Sequence, residues 1–149
     1  MCGITGIFNV NGEPVSPVVL RRMTAALAHR GPDGEGFYSD AFVALGHRHL
    51  AVIDLSATGD QPMVSRDGQV VLSYNGEIYN FKELRSELEG LGYLFSSRTD
   101  SEVVLNAWHQ WGMACVTRFN GMFAFAVWDT REQSLFLVRD RYGIKPLYY

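Results

Sequence analysis

Residues 122–139 read MFAFAVWDTREQSLFLVR: two apolar runs flank the turn-prone stretch at 130–133. That is the pattern of a β-hairpin buried on both faces. Downstream, Arg139-Asp140-Arg141-Tyr142-Gly143 breaks the second arm, and residues 144–149 are expected to resume a strand. Upstream, Thr99 with Glu102 forms an N-cap signal ahead of Val104, Leu105, Trp108 and Trp111, a helical stripe that Gly112 stops. Asn80 with Glu83 repeats the signal ahead of Phe81, Leu84, Leu88 and Leu91. Before that helix the strand 70–74 is expected to end on a tight corner at Asn75-Gly76. Residues 42–53 have the character of paired strands, and the Gly-rich stretch 31–36 reads as a loop. Ser16-Pro17 starts a helix with Val19, Met23, Ala26 and Leu27 on its apolar stripe, and residues 4–10 form the first strand. Hairpins with helices grouped between them predict α+β with mainly antiparallel sheets, not a doubly wound parallel sheet.

The chain has 149 residues, 47% hydrophobic and 19% charged, enough apolar surface for one globular unit and too little charge for a disordered one. Thirteen Lys and Arg against sixteen Asp and Glu give a net charge of -3, the wrong sign for holding nucleic acid. No apolar run approaches the ~18 residues that span a bilayer, and no basic flank marks a signal peptide, which predicts no membrane and a cytoplasmic location. Cys2 and Cys115 are too few for a disulfide framework and read as separate thiols, Cys115 as a buried small hydrophobe.

Cys2 is the most informative residue. Methionine removal, favoured before small residues, would leave it with a thiol and a free α-amino group, so nucleophile and base would share one residue. In small compounds the amine titrates at about 7.7–8.0 and the thiol at about 8.5, so proton transfer between them is near balance. The alternative is an ordinary second residue. Acyl transfer also needs donors for an oxyanion; Asn75 offers a side-chain amide and Gly76 an unhindered N–H, although the pair reads equally as a simple turn. Glu77 and Asp100 could hold a substrate ammonium, or Asp100 could merely cap its helix. His47 and His49 share a strand face, but nothing nearby completes four metal ligands, and no metal is expected.

Several ordered blocks then match a family: Met1-Cys2-Gly3-Ile4, His29-Arg30-Gly31-Pro32-Asp33, Leu45-Gly46-His47, Gly59-Asp60-Gln61-Pro62-Met63, Tyr74-Asn75-Gly76-Glu77-Ile78-Tyr79-Asn80, Thr99-Asp100-Ser101-Glu102 and Arg139 through Tyr148. Over its whole length the chain resembles the glutaminase domain of class II, N-terminal-nucleophile, glutamine amidotransferases, most closely that of asparagine synthetase-like enzymes. The resemblance implies an αββα four-layer sandwich of two mainly antiparallel sheets. It implies that Cys2 attacks glutamine to form a γ-glutamyl thioester, with Asn75 and Gly76 stabilising the oxyanion. Glu77 and Asp100 would hold the substrate's α-ammonium, and the backbone at Val52 and Ile53 would line the site. The ammonia would supply an ATP-dependent amidation.

Two departures qualify that picture. Where the family pattern His-x-Arg-Leu places an arginine for the glutamine α-carboxylate, this chain has His49, and Arg48 next door should point to the opposite strand face. Loss of a bidentate contact costs on the order of 1.5–3 kcal/mol, about ten- to a hundredfold in affinity. The second departure is length: residues 1–149 are expected to be a partial glutaminase domain, truncated at its C-terminal end, without the synthetase domain to which ATP and magnesium belong. No cofactor is expected in this part; the expected partners are glutamine and a synthetase domain, and a homodimer is possible. The rival reading is a weak or inactive module of the same fold serving interaction or regulation.

Overall fold

The computed structural model describes residues 1–41, 43–50 and 59–149. In chain order its elements are β1 (Gly3–Phe8), α1 (Pro17–Ala26), β2 (Gly34–Asp40), β3 (Val43–His49), β4 (Met63–Val64), β5 (Val70–Ile78), α2 (Phe81–Gly90), α3 (Asp100–Trp111), a 3-10 helix (Gly112–Arg118), β6 (Gly121–Asp129) and β7 (Ser134–Arg139). Two antiparallel sheets result, one ordered β1-β3-β2 and the other β4-β5-β6-β7. Helix α1 packs on β1 and β3, both of these strands face β5, and α3 with α2 covers the far side of the second sheet. The layers therefore run helix, sheet, sheet, helix, as the family resemblance implies.

Strand periodicity of two explains the double core. From β5 and β6, Val70, Leu72, Phe123, Phe125 and Val127 point at the helices and pack with Val104, Leu105 and Trp108. The alternate residues Val71, Ala126 and Trp128 point at the other sheet and meet Val43 and Leu45. The hairpin at 122–139 forms as predicted, but only β6 is buried on both faces. Strand β7 is an edge of its sheet, so its outer positions, Leu137 among them, reach solvent.

Four local expectations are corrected. The Asn75-Gly76 corner is straight strand: β5 continues to Ile78, with Asn75 opposite Ala124 and Gly76 opposite Phe123, because a nine-residue ladder outweighs a dipeptide's turn preference. Residues 34–36 are strand rather than loop, with Gly36 pressed against the Gln61 carbonyl where a side chain has no room. Helix α1 buries Leu20 and Thr24, while Val19 and Met23 are exposed. Its seat is small and polar: Thr24 Oγ1 lies 2.8 Å from Thr5 Oγ1, donates to the Leu20 carbonyl at 2.9 Å, and rests against Gly46. Residues 144–149 form no strand. Asp140 instead gathers the N–H groups of Phe123, Tyr142, Ile144 and Lys145, which fold the chain back towards the start of β6.

The two cap signals differ. Thr99 accepts from the Glu102 N–H at 3.3 Å, and the Glu102 carboxylate reaches back to the N–H groups of Ser96 and Ser97. Asn80 instead bonds the Arg118 carbonyl and the Asn120 N–H, tying α2 to the approach of β6.

Candidate active site

Where β3 and β5 end beside the start of α3, the first residues of the chain close one wall of a cavity of about 210 Å³. Cys2, His49, Asn75, Gly76, Glu77 and Asp100, all singled out from the sequence, line it together. Val52 and Ile53 lie outside the described residues. The Cys2 thiol is half-buried, accepts from the Leu50 N–H at 3.5 Å and lies 3.9 Å from the Leu50 carbonyl; the Cys2 carbonyl accepts from Arg30 Nε at 3.2 Å. The residue is thus held at both its carbonyl and its thiol, and it lines the cavity.

Asn75 and Glu77, two apart on β5, share a strand face, with Gly76 between them. A Cβ on Gly76 would lie 2.6 Å from the Met122 carbonyl oxygen and 2.8 Å from Phe123 Cα, so only glycine lets the two strands approach here.

Asp100, the first residue of α3, does not serve as the helix cap, which Thr99 supplies. Its Oδ2 accepts from the Tyr74 hydroxyl at 2.6 Å and the Ile78 N–H at 2.9 Å. Burial pushes its carboxyl above the ordinary range, and those donors offset part of the rise. Glu77 is also raised, by burial and then by the neighbouring Asp100, while Lys145 pulls the other way. Two carboxyls with raised pKa values therefore line the same cavity.

Arg48 is turned away, as strand alternation predicted: its guanidinium donates to the Gly31 carbonyl and to Glu35, each at 2.9 Å. His49 takes the cavity side, its Nδ1 buried without a hydrogen-bond partner among the described residues. His47 points between the sheets at the Tyr74 carbonyl, 3.1 Å away, and burial lowers its pKa to about 4, keeping it neutral.

Sequence reasoning missed four contributors. Tyr74 holds Asp100; Gln61 accepts from the Tyr74 N–H at 2.6 Å; Met1 and Lys145 complete the wall, with Lys145 Nζ 3.0 Å from Met1 Sδ. Each acts across long chain separations that no local pattern announces, although Lys145 and Tyr74 both stand in blocks that carry the family resemblance.

The whole chain, residues 1–149, matches the family described as glutamine amidotransferase domain. It is 40% identical over 152 residues to asparagine synthetase [glutamine-hydrolyzing] 2 of Bacillus subtilis, covering 100% of this chain and 20% of that protein. It is 37% identical over 149 residues to asparagine synthetase [glutamine-hydrolyzing] 1 of Arabidopsis thaliana, covering 99% of this chain and 25% of that protein. The chain therefore spans about a fifth to a quarter of the length of these curated relatives. The structure superposes on glutamine phosphoribosylpyrophosphate amidotransferase from B. subtilis with a TM-score of 0.81 at 20% identity, covering 98% of this chain and 38% of that one, a likeness of fold.

Proposed function

The chain belongs to the glutamine amidotransferase domain family, and from that premise we propose that it hydrolyses glutamine to glutamate and ammonia at Cys2. The observation that carries the reading is the convergence of the Cys2 thiol, the Asn75–Gly76 donors and the Glu77–Asp100 carboxylates on one cavity. Met1 lines that cavity and leaves the Cys2 nitrogen an amide, so the reaction requires its removal. The freed α-amine then takes the thiol proton as Sγ attacks the side-chain amide carbon. The carbonyl oxygen becomes an oxyanion, met by the Asn75 side-chain amide and the Gly76 N–H. Collapse breaks the C–N bond, the ammonium returns its proton to the leaving nitrogen, and ammonia departs. Water, deprotonated by the same amine, attacks the thioester and releases glutamate and the thiol. Glu77 and Asp100 would hold the α-ammonium throughout, and a synthetase region would consume the ammonia.

His49 favours a second reading, a module of the same fold with weak or no turnover, because an imidazole supplies no two-pronged contact for a carboxylate. The test is glutamate release by protein lacking Met1, together with labelling by an electrophilic glutamine analogue. The first reading expects turnover that Cys2→Ala abolishes and a single adduct on Cys2. A retained Met1, or a processed protein that neither turns over nor labels, supports the second.

A further inference from the structure

The cavity holds two carboxylates, Glu77 and Asp100, yet among its described lining residues Lys145 is the only Lys or Arg, and residues 51–58, AVIDLSAT, contain neither. Lys145 is 6% exposed. Its ammonium meets the Met1 thioether at 3.0 Å, a weak acceptor, and no carboxylate among the described residues comes within ion-pair distance of it. A buried ammonium so poorly matched is costly until a full counter-charge reaches it. Loss of Met1 removes that thioether and opens the ammonium to the cavity. Lys145 and Glu77 line the same cavity, and the Lys145 charge acts on the Glu77 carboxyl against the rise that burial and Asp100 impose. An α-amino acid carries ammonium and carboxylate on one carbon. With its ammonium against Glu77 and Asp100, its carboxylate must fall beside them, where a cation is required.

We propose that Lys145 anchors the α-carboxylate of the substrate and selects α-amino acid amides over amides that lack that group; this rests on the glutaminase reading above.

The experiment uses Cys2→Ala protein without Met1, titrated calorimetrically with L-glutamine and with 4-aminobutanamide, the same molecule without its carboxylate. Both titrations are repeated on Cys2→Ala/Lys145→Met. Glutamine binding is expected to weaken about ten- to a hundredfold while 4-aminobutanamide binding stays unchanged, so the preference collapses. With Cys2 intact, Lys145→Met is expected to raise KM for glutamine by the same factor and leave kcat within about twofold. An undiminished preference overturns the assignment, as does an equal loss for both ligands. If the Met variant fails to fold, Lys145→Gln is read in the same way. Normal glutamine turnover with a preference that Lys145→Met does not move refutes the anchor alone. Processed wild-type protein that neither binds nor hydrolyses glutamine refutes the glutaminase reading and the anchor with it.

Discussion

The Tyr74 hydroxyl donates a 2.6 Å hydrogen bond to Asp100 Oδ2, which also accepts from the Ile78 N–H at 2.9 Å. Both donors come from β5 and the acceptor is the first residue of α3, so the strand that carries Asn75, Gly76 and Glu77 also fixes the carboxylate facing them. Burial, then the adjacent Asp100, push the Tyr74 phenol well above its usual range, so it remains a donor at any pH the protein meets. Tyr74→Phe keeps the ring and deletes the bond. It is expected to lower unfolding free energy by about 1–3 kcal/mol, the cost of leaving a buried acceptor short of a partner. It should also raise KM for glutamine more than it lowers kcat, because Asp100 loses its orientation. Denaturant melts and steady-state kinetics check both.

Glu77 gives the opposite sign in stability. Its folded pKa lies above the ordinary carboxylate value, because of burial and then Asp100. The folded state therefore holds that proton more tightly than the unfolded chain. Stability falls as pH rises through the carboxylate range and recovers as pH falls below it. Glu77→Gln removes this cost, so the variant is expected to melt higher at pH 7, by no more than about 2 °C because the carboxyl is partly solvated, with no gain at pH 3. Glutamine binding should weaken at the same time. Scanning calorimetry at the two pH values reads the first effect and KM the second; a variant that melts lower at pH 7 contradicts the account.

Gly76 is limited by space, not by turn geometry. A methyl group there meets the Met122 carbonyl and Phe123 Cα, both backbone atoms that cannot swing aside. Gly76→Ala is expected to cost about 1–3 kcal/mol, the usual penalty of overpacking. By shifting the N–H it should also lower kcat by about a hundredfold, the scale of one lost oxyanion donor. A folded Gly76→Ala protein with unchanged kcat would remove Gly76 from the oxyanion hole.

Most of the sandwich could be read in the sequence because its two best elements bury regular patterns. The β6–β7 hairpin is apolar enough to announce itself, and Thr99 with Glu102 marks the start of α3 to the residue. Three of the failures share one cause. The Asn75-Gly76 turn, the face of α1 and the glycines of β2 are each set by a partner far along the chain: β6 for the first, Gly46 and Thr5 for the second, Gln61 for the third. The site divides in the same way. Cys2, Asn75, Gly76, Glu77 and Asp100 could be singled out by identity alone, and all five line one cavity. Tyr74, Gln61 and Lys145 matter only through what assembly brings near them.

His49 faces the cavity where Arg48 cannot, since Arg48 is committed to Glu35 and the Gly31 carbonyl. His49→Arg should therefore place a guanidinium among the cavity-lining groups without disturbing the existing ion pair. KM for glutamine is expected to fall about tenfold with kcat nearly constant, the effect of added ground-state binding. An unchanged KM would show that His49 is not what limits affinity.

Far from this cavity, a hydrogen-bonded chain joins three elements: Ser65 Oγ donates to Asp67 at 2.7 Å, Asp67 meets His109 Nε2 at 2.8 Å, and His109 Nδ1 lies 2.8 Å from the Tyr93 hydroxyl. His109 is the link between α3, the β4–β5 turn and the loop after α2. Burial pulls the Asp67 carboxyl upward, but bonds from Ser65, His109 and the Gln69 N–H prevail and hold it at about 2. A carboxyl depressed in the folded state contributes stability above its unfolded value and loses it as pH falls through the folded one. Asp67→Asn is therefore expected to destabilise the protein at pH 7, by no more than about 1 kcal/mol because the pair is partly solvated. That deficit should shrink between pH 4 and pH 2, where the wild-type carboxylate is itself being protonated. Urea melts of the two proteins across that interval measure the difference, and a deficit that is constant down to pH 2 would assign the effect to packing instead of charge.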